Sequence, residues 1–151
     1  MQKIFNERIV VMELIKYALR GVSIEQFATP FEPQTENIEL NLNVPIKTNY
    51  DTRMLAIGAN IQFTEEGRPF IIAEVFCHYE IDPNTWKELS EGNTKDVTLP
   101  KDFVRSLVAI AISTCRGALC AKTEKTAFAK FFVPLVELNP AEGEDLVIPA
   151  K

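Results

Sequence analysis

The stretch from Leu99 to Ala121, LPKDFVRSLVAIAISTCRGALCA, constrains this chain more than any other. Its middle, Leu107 to Ile112, is apolar on every side of a helix, and such a helix is normally buried on more than one face. Pro100 suits a first helical turn, where its missing N–H is no loss. Asp102 puts an anion near the positive end of the helix dipole. The pattern predicts one long helix, covered on one side by strands from earlier in the chain and on the other by a second subunit. Packing into the subunit's own core explains most of the same stripe. Arg105 and Arg116 lie eleven residues apart, about three turns, so they share a face; they are the candidates for the solvent or interface edge. The run is too short and too closely flanked by charge for a bilayer span, which predicts no membrane insertion.

The strands it needs are written before it. Residues 38–44, IELNLNV, alternate strictly, with Ile38, Leu40, Leu42 and Val44 on one side. Residues 54–63 place Leu55, Ile57, Ala59, Ile61 and Phe63 on one face. Thr64–Pro69 predicts a hairpin connection with Gly67 at a positive-φ position. Residues 70–81 place Ile71, Ala73, Val75, Cys77, Tyr79 and Ile81 on one face. Phe70, Ile72, Glu74, Phe76, His78 and Glu80 fall on the other. With large apolar groups on both faces, both are expected to be covered, at least in part. A carboxylate at Glu74 must then reach water or a partner.

The remaining segments carry weaker patterns. Residues 8–25 fit a helical face through Val10, Leu14, Tyr17 and Ala18, yet their β-rich ends, Ile9–Val11 and Val22–Ile24, argue for a strand. Residues 26–37 hold two prolines and no period, and predict a loop. Phe27 and Phe31 within it either staple the loop to the core or help line a groove for a partner. Residues 82–99 predict a polar connector with a helical turn at Trp86–Leu89. Phe128–Leu138 predicts an apolar extended segment that Pro134 keeps out of a central sheet position. Residues 139–151 have little patterning and predict a fraying tail. With 151 residues and no repeat, a single domain is expected, its core at about 12–139 and a flexible tail at 140–151.

Composition narrows the function. A net charge of −5 leaves no basic footprint for nucleic acid. Three cysteines at irregular spacing fit free thiols in a reducing compartment, and the N-terminal run, broken by Glu13 and Lys16, is a poor signal peptide. A cytoplasmic protein is expected. His78 is the one histidine; on a strand between Cys77 and Tyr79 it is expected to be structural. No zinc-ligand spacing, phosphate loop or selectable acid–base pair stands out. The expectation is a binding protein, not an enzyme, with no catalytic residue, metal or cofactor.

Four features, taken in order, resemble the SecB-like protein-export chaperone family. Val22-Ser23-Ile24-Glu25 is similar to the end of that family's first strand. The loop with Phe27 and Phe31 is similar to its crossover loop. Phe70-Ile71-Ile72-Ala73-Glu74-Val75 is similar to its central strand. Pro100 to Gly117, followed by Pro134-Leu135-Val136, is similar to its long helix and the segment after it. The match spans about residues 12–139.

The resemblance implies an α+β fold, a four-stranded antiparallel sheet with one long helix in the C-terminal half packed on it, assembled as a dimer of dimers, a homotetramer. It favours residues 12–25 as a strand. It also implies an ATP-independent chaperone that holds unfolded or preprotein polypeptides in apolar grooves, with Phe27, Phe31, Phe70, Ile72 and Phe76 as candidate client contacts. Export members also dock the SecA motor, and Glu25 and Glu74 stand at matching positions. The chain departs from the family in three places. Gly21 replaces another acidic docking position. Leu119–Lys130 looks like an insertion. Thirteen residues follow Leu138, where export members continue into a second helix and a SecA-binding tail. A structural or adaptor subunit of the same fold, or one associated with a toxin–antitoxin pair, is the alternative.

Overall fold

The computed structural model describes residues 15–90, 92–138 and 143–150. Residues 8–14 of the ambiguous segment and 139–142 and 151 of the expected tail lie outside the described residues. The chain runs β1 (Tyr17–Ala28), β2 (Ile38–Asn43), β3 (Ile46–Asn49), β4 (Met54–Glu65), β5 (Arg68–Ile81), α1 (Pro83–Leu89), β6 (Val97–Leu99), α2 (Lys101–Thr123) and β7 (Leu146–Ile148). The fold is α+β. Its main sheet has five antiparallel strands in the order β1-β5-β4-β2, with β3 also on β4. The four strands expected from sequence are therefore five. β2 pairs with the end of β4 and β3 with its start, because Val44-Pro45 interrupts what would otherwise be one edge strand. The sheet is four ribbons wide.

Period-two alternation builds the core. Leu55, Ile57, Ala59, Ile61 and Phe63 of β4 lie opposite Tyr79, Cys77, Val75, Ala73 and Ile71 of β5, and all ten are buried. α2 crosses this face. Its buried side carries Phe103, Val104, Leu107, Ala111, Ile112, Cys115 and Leu119, and the Cys115 thiol donates to the Ala73 carbonyl at 3.7 Å. The expected helix is present, two residues longer at its C-terminal end. Pro100 stands at the cap rather than inside the first turn. The Glu66-Gly67 turn between β4 and β5 has φ values of 50° and 83°, the pair of positive φ that a two-residue hairpin turn of this twist requires.

Two expectations are corrected. Phe70 was expected beside Ile72 on the second sheet face. Phe63 pairs with Ile71 and Thr64 with Pro69, so Phe70 is the extra residue of a bulge. Its ring turns into the core, against Phe131 at 5.0 Å, Phe31 at 6.1 Å and Phe63 at 6.3 Å. The C-terminal segment was expected to fray, yet Leu146–Ile148 pairs with Val97–Leu99 in a small second sheet. Ile148 is buried there. The Asp145 carboxylate accepts from the Lys101 amide at 2.9 Å, and the Ala150 amide donates to Asp96 at 2.8 Å. The connector before it holds α1, whose N-cap Asp82 accepts from the amides of Asn84 and Thr85.

Candidate functional site

α2 divides its face of the sheet into two flanks. On the β1 flank, Tyr17 meets Phe103 edge-on at 5.0 Å and Tyr79 at 5.8 Å. Beyond that contact the middle of β1 is uncovered among the described residues. Leu19, Val22 and Ile24 point to the helix side, opposite Tyr79, Cys77 and Val75, and each is about half exposed. Ile110, about two turns on from Phe103 on the same helix face, is also exposed. Among the described residues, no strand pairs with the outer edge of β1.

The other flank is filled by residues 131–138, which run back along α2 as a strap without helix or strand structure. Phe131 seats its ring among Phe63, at 5.9 Å, and Phe70. Val133 is buried. Arg116 donates from Nε to the Val133 carbonyl and from Nη2 to the Pro134 carbonyl, each at 3.0 Å. Farther along, Glu137 and Leu138 share a cleft of about 260 Å³ with Val104, Arg105 and Val108. The shared face expected for Arg105 and Arg116 is therefore the face bordered by this strap. The strap's outer side is bare: Phe132 is 70% exposed and Leu135 90%.

The candidate client residues divide accordingly. Phe31 is half buried, its ring against Phe70 and under the Arg68 guanidinium at 4.6 Å. Phe27 is half buried with the Lys122 ammonium 5.4 Å from its ring. Residues 26–28, expected in the loop, are instead the end of β1, where Phe27 pairs with Ala73; Phe31, in the loop that follows, is docked to the subunit's own core, and both rings retain open surface. Phe70 presents no surface in this state. Phe76 is 2% exposed; it lies on the open sheet face, but Gly58 beneath it, Pro45 beside it and the Lys47 ammonium 4.6 Å above it close it off. Ile72 remains half buried on that face. The two docking candidates both lie on that face. Glu25, at a bulge in β1 beside the Gln26–Glu74 pair, accepts from Ser23 Oγ at 2.8 Å. Glu74 accepts from Asn60 Nδ2 at 2.8 Å. Burying Glu74 is relieved by that bond and by partial exposure.

His78 also lies on the open face, its Nε2 at 2.8 Å from Ser23 Oγ. If Ser23 gives its single proton to Glu25, the hydroxyl oxygen can only accept from the imidazole. The chain then runs His78 to Ser23 to Glu25, which is opposite to the direction a base needs to activate a serine nucleophile. Its arrangement is that of a structural relay. Among the described residues no three His, Cys, Asp or Glu side chains form a metal-binding group. α2 is long and apolar enough to cross a membrane by length and composition, but here its apolar side packs on the sheet.

Burial sets the chemistry of the core groups. Desolvation first, then the nearby Glu74, pushes the Cys115 thiol up to about 11. Desolvation and the neighbouring Cys77 push the Tyr79 hydroxyl up to about 12. The Glu65 carboxylate moves the other way. The Thr35 amide leads in holding it below the usual range, with the Thr35 hydroxyl, the Gln34 amide and Arg68 adding to the effect.

Sequence reasoning did not find the bare flank, although Val22 and Ile24 were visible as an apolar pair. It did not find the Arg116 contacts either, because nothing local marks an arginine that reaches a segment seventeen residues away. No family model, no curated protein and no solved structure matches the chain.

Proposed function

We propose that this protein is a chaperone-like binder of non-native polypeptides, as its resemblance to SecB-like export chaperones implies, working without nucleotide as an assembly of identical copies. The observation that carries this reading is the exposed apolar surface on both flanks of α2: Leu19, Val22, Ile24 and Ile110 on one, Phe132, Leu135 and Val136 on the other. Large grouped apolar patches on a folded chain mark contact sites. Apolar burial is non-directional, so such a surface accepts many sequences.

The two flanks suit different partners. β1 offers a twelve-residue edge with open backbone groups and half-exposed apolar side chains. A lone strand of that kind is an aggregation hazard unless it is paired, and pairing with a second copy through a two-fold axis closes it. The strap flank and the loop with Phe31 then face the client, with Phe27 at the end of β1 where that loop begins. Each large apolar side chain buried is worth roughly 1.5–3 kcal/mol, and a few together reach the ~8 kcal/mol of micromolar binding. The open face with Glu25 and Glu74 is the surface for a docking partner, which in an export role is SecA. Three free cysteines accord with a cytoplasmic location.

The test is binding of a permanently unfolded probe, a reduced and carboxymethylated protein, followed by fluorescence anisotropy alongside sedimentation velocity. The expected result is binding near ~1–10 μM by a species larger than a monomer. A strict monomer with no binding at ~100 μM overturns the reading.

A further inference from the structure

Residues 131–138 are seated like a ligand. The segment FFVPLVEL is mostly apolar and has neither helix nor strand structure. Phe131 fills an aromatic pocket formed by Phe63 and Phe70, with Phe31 behind Phe70. Arg116 holds the strap through two hydrogen bonds, both to main-chain carbonyls, and the Phe131 amide donates to the Phe128 carbonyl at 3.0 Å where the strap begins. Pro134 has no N–H to contribute to a ladder.

We propose that this strap is a displaceable resident of a channel for extended apolar peptide, with Arg116 as its latch; the proposal rests on the polypeptide-binding reading and names the site within it. Three observations support displacement. The latch recognises main-chain carbonyls, which every polypeptide carries, so it reads no side chain. The pocket recognises one aromatic ring, which makes Phe131 replaceable by a client's Phe, Tyr or Trp. The outer half of the strap, Phe132, Leu135 and Val136, is exposed in place, so leaving the channel uncovers only the inner half. The segment therefore opens at lower free energy than the sheet beneath it, the property of segments with few buried contacts. A client meets a channel whose apparent affinity is reduced by the fraction of time the strap is closed.

The experiment uses the folded protein and one defined probe, a fluorescein-labelled peptide of residues 127–138, AFAKFFVPLVEL. In wild type, strap amides exchange with solvent deuterium at least ~100-fold faster than β5 amides. Phe131→Ala weakens the resident and leaves the pocket, so the peptide binds about tenfold tighter than to wild type. Arg116→Ala speeds strap exchange about tenfold without a matching gain in peptide affinity, because the peptide loses the same latch; β5 exchange reports that both variants remain folded. Strap amides that exchange only at the rate of β5, or peptide binding unchanged by Phe131→Ala, overturn the proposal. The wild-type exchange decides the matter should a variant not fold. Neither readout involves an unfolded client, so failure of the strap and failure of the chaperone reading are separate results.

Discussion

Gly58 and Phe76 lie directly across from each other on β4 and β5, and a Cβ on Gly58 would stand 2.8 Å from the Phe76 ring and 2.9 Å from Pro45 Cγ. The glycine is the floor on which the ring lies, and Pro45 and Lys47 close the sides. Gly-to-Ala in a strand usually gains some stability from the unfolded chain, but here overpacking dominates. Gly58→Ala is expected to lower stability by ~1–3 kcal/mol, read as a lower urea midpoint. Phe76→Leu in the same chain should recover part of the loss, because the two positions couple.

Glu65 ties the crossover loop to the sheet. Its carboxylate accepts from the Thr35 amide at 2.6 Å, the Gln34 amide at 2.7 Å and the Thr35 hydroxyl at 2.9 Å. These bonds favour the ionised form, so the folded pKa lies below the unfolded one. The stability they give is present above the unfolded pKa and is lost as pH falls through the folded value. Protection of the amides of residues 34 and 35, relative to their intrinsic exchange at each pH, should therefore fall in acid before that of the β4 and β5 amides. In Glu65→Gln the acid dependence should vanish and these amides should exchange faster at neutral pH.

The three thiols should separate by accessibility. Cys120 is exposed, while Cys77 and Cys115 are buried, and Cys115 is further protected by a pKa of about 11. The thiolate is the reactive form. One thiol should react quickly with iodoacetamide at neutral pH, and the other two only at the rate of unfolding. Cys120→Ser should remove the fast phase, as counted by intact mass.

Tyr79 carries a buried hydroxyl that lacks a nitrogen or oxygen partner among the described residues. Removing it from a site of the same shape deletes a desolvated polar group. Tyr79→Phe is expected to be neutral or to stabilise by up to ~1 kcal/mol. The wild type should also lose stability as pH rises from 10 to about 12, since the unfolded tyrosine ionises first. The variant should lose less over that window, by urea titration at each pH.

Sequence showed the central hairpin clearly because β4 and β5 alternate without a break across their paired middles. β1 was ambiguous for a physical reason. Bulges at Arg20 and Glu25 insert one residue each, so Leu19 and Val22, like Ile24 and Phe27, share a face at a spacing of three. That spacing imitates a helix. The bulge at Phe70 likewise moved an aromatic from the open face into the core, and no local signal announces such an insertion. Phe76 looked accessible because its cover, Pro45 and Lys47, comes from a segment thirty residues away. The tail looked unstructured because a three-residue strand is too short to show a period. Charge and motif content pointed to binding, but the bare flank is a difference between what the sheet offers and what one helix can cover, and that appears only in three dimensions.

The central claim is that this surface holds non-native polypeptide, and aggregation of several unrelated unfolded proteins tests it most directly. Light scattering is followed at about one client per protein assembly, with the Phe27→Asp/Phe31→Asp variant as the comparison. The account predicts that the wild type suppresses aggregation of every client and that the variant, with charge at the end of β1 and in the loop after it, suppresses it much less. Aggregation of all clients unchanged by the wild type would contradict the account.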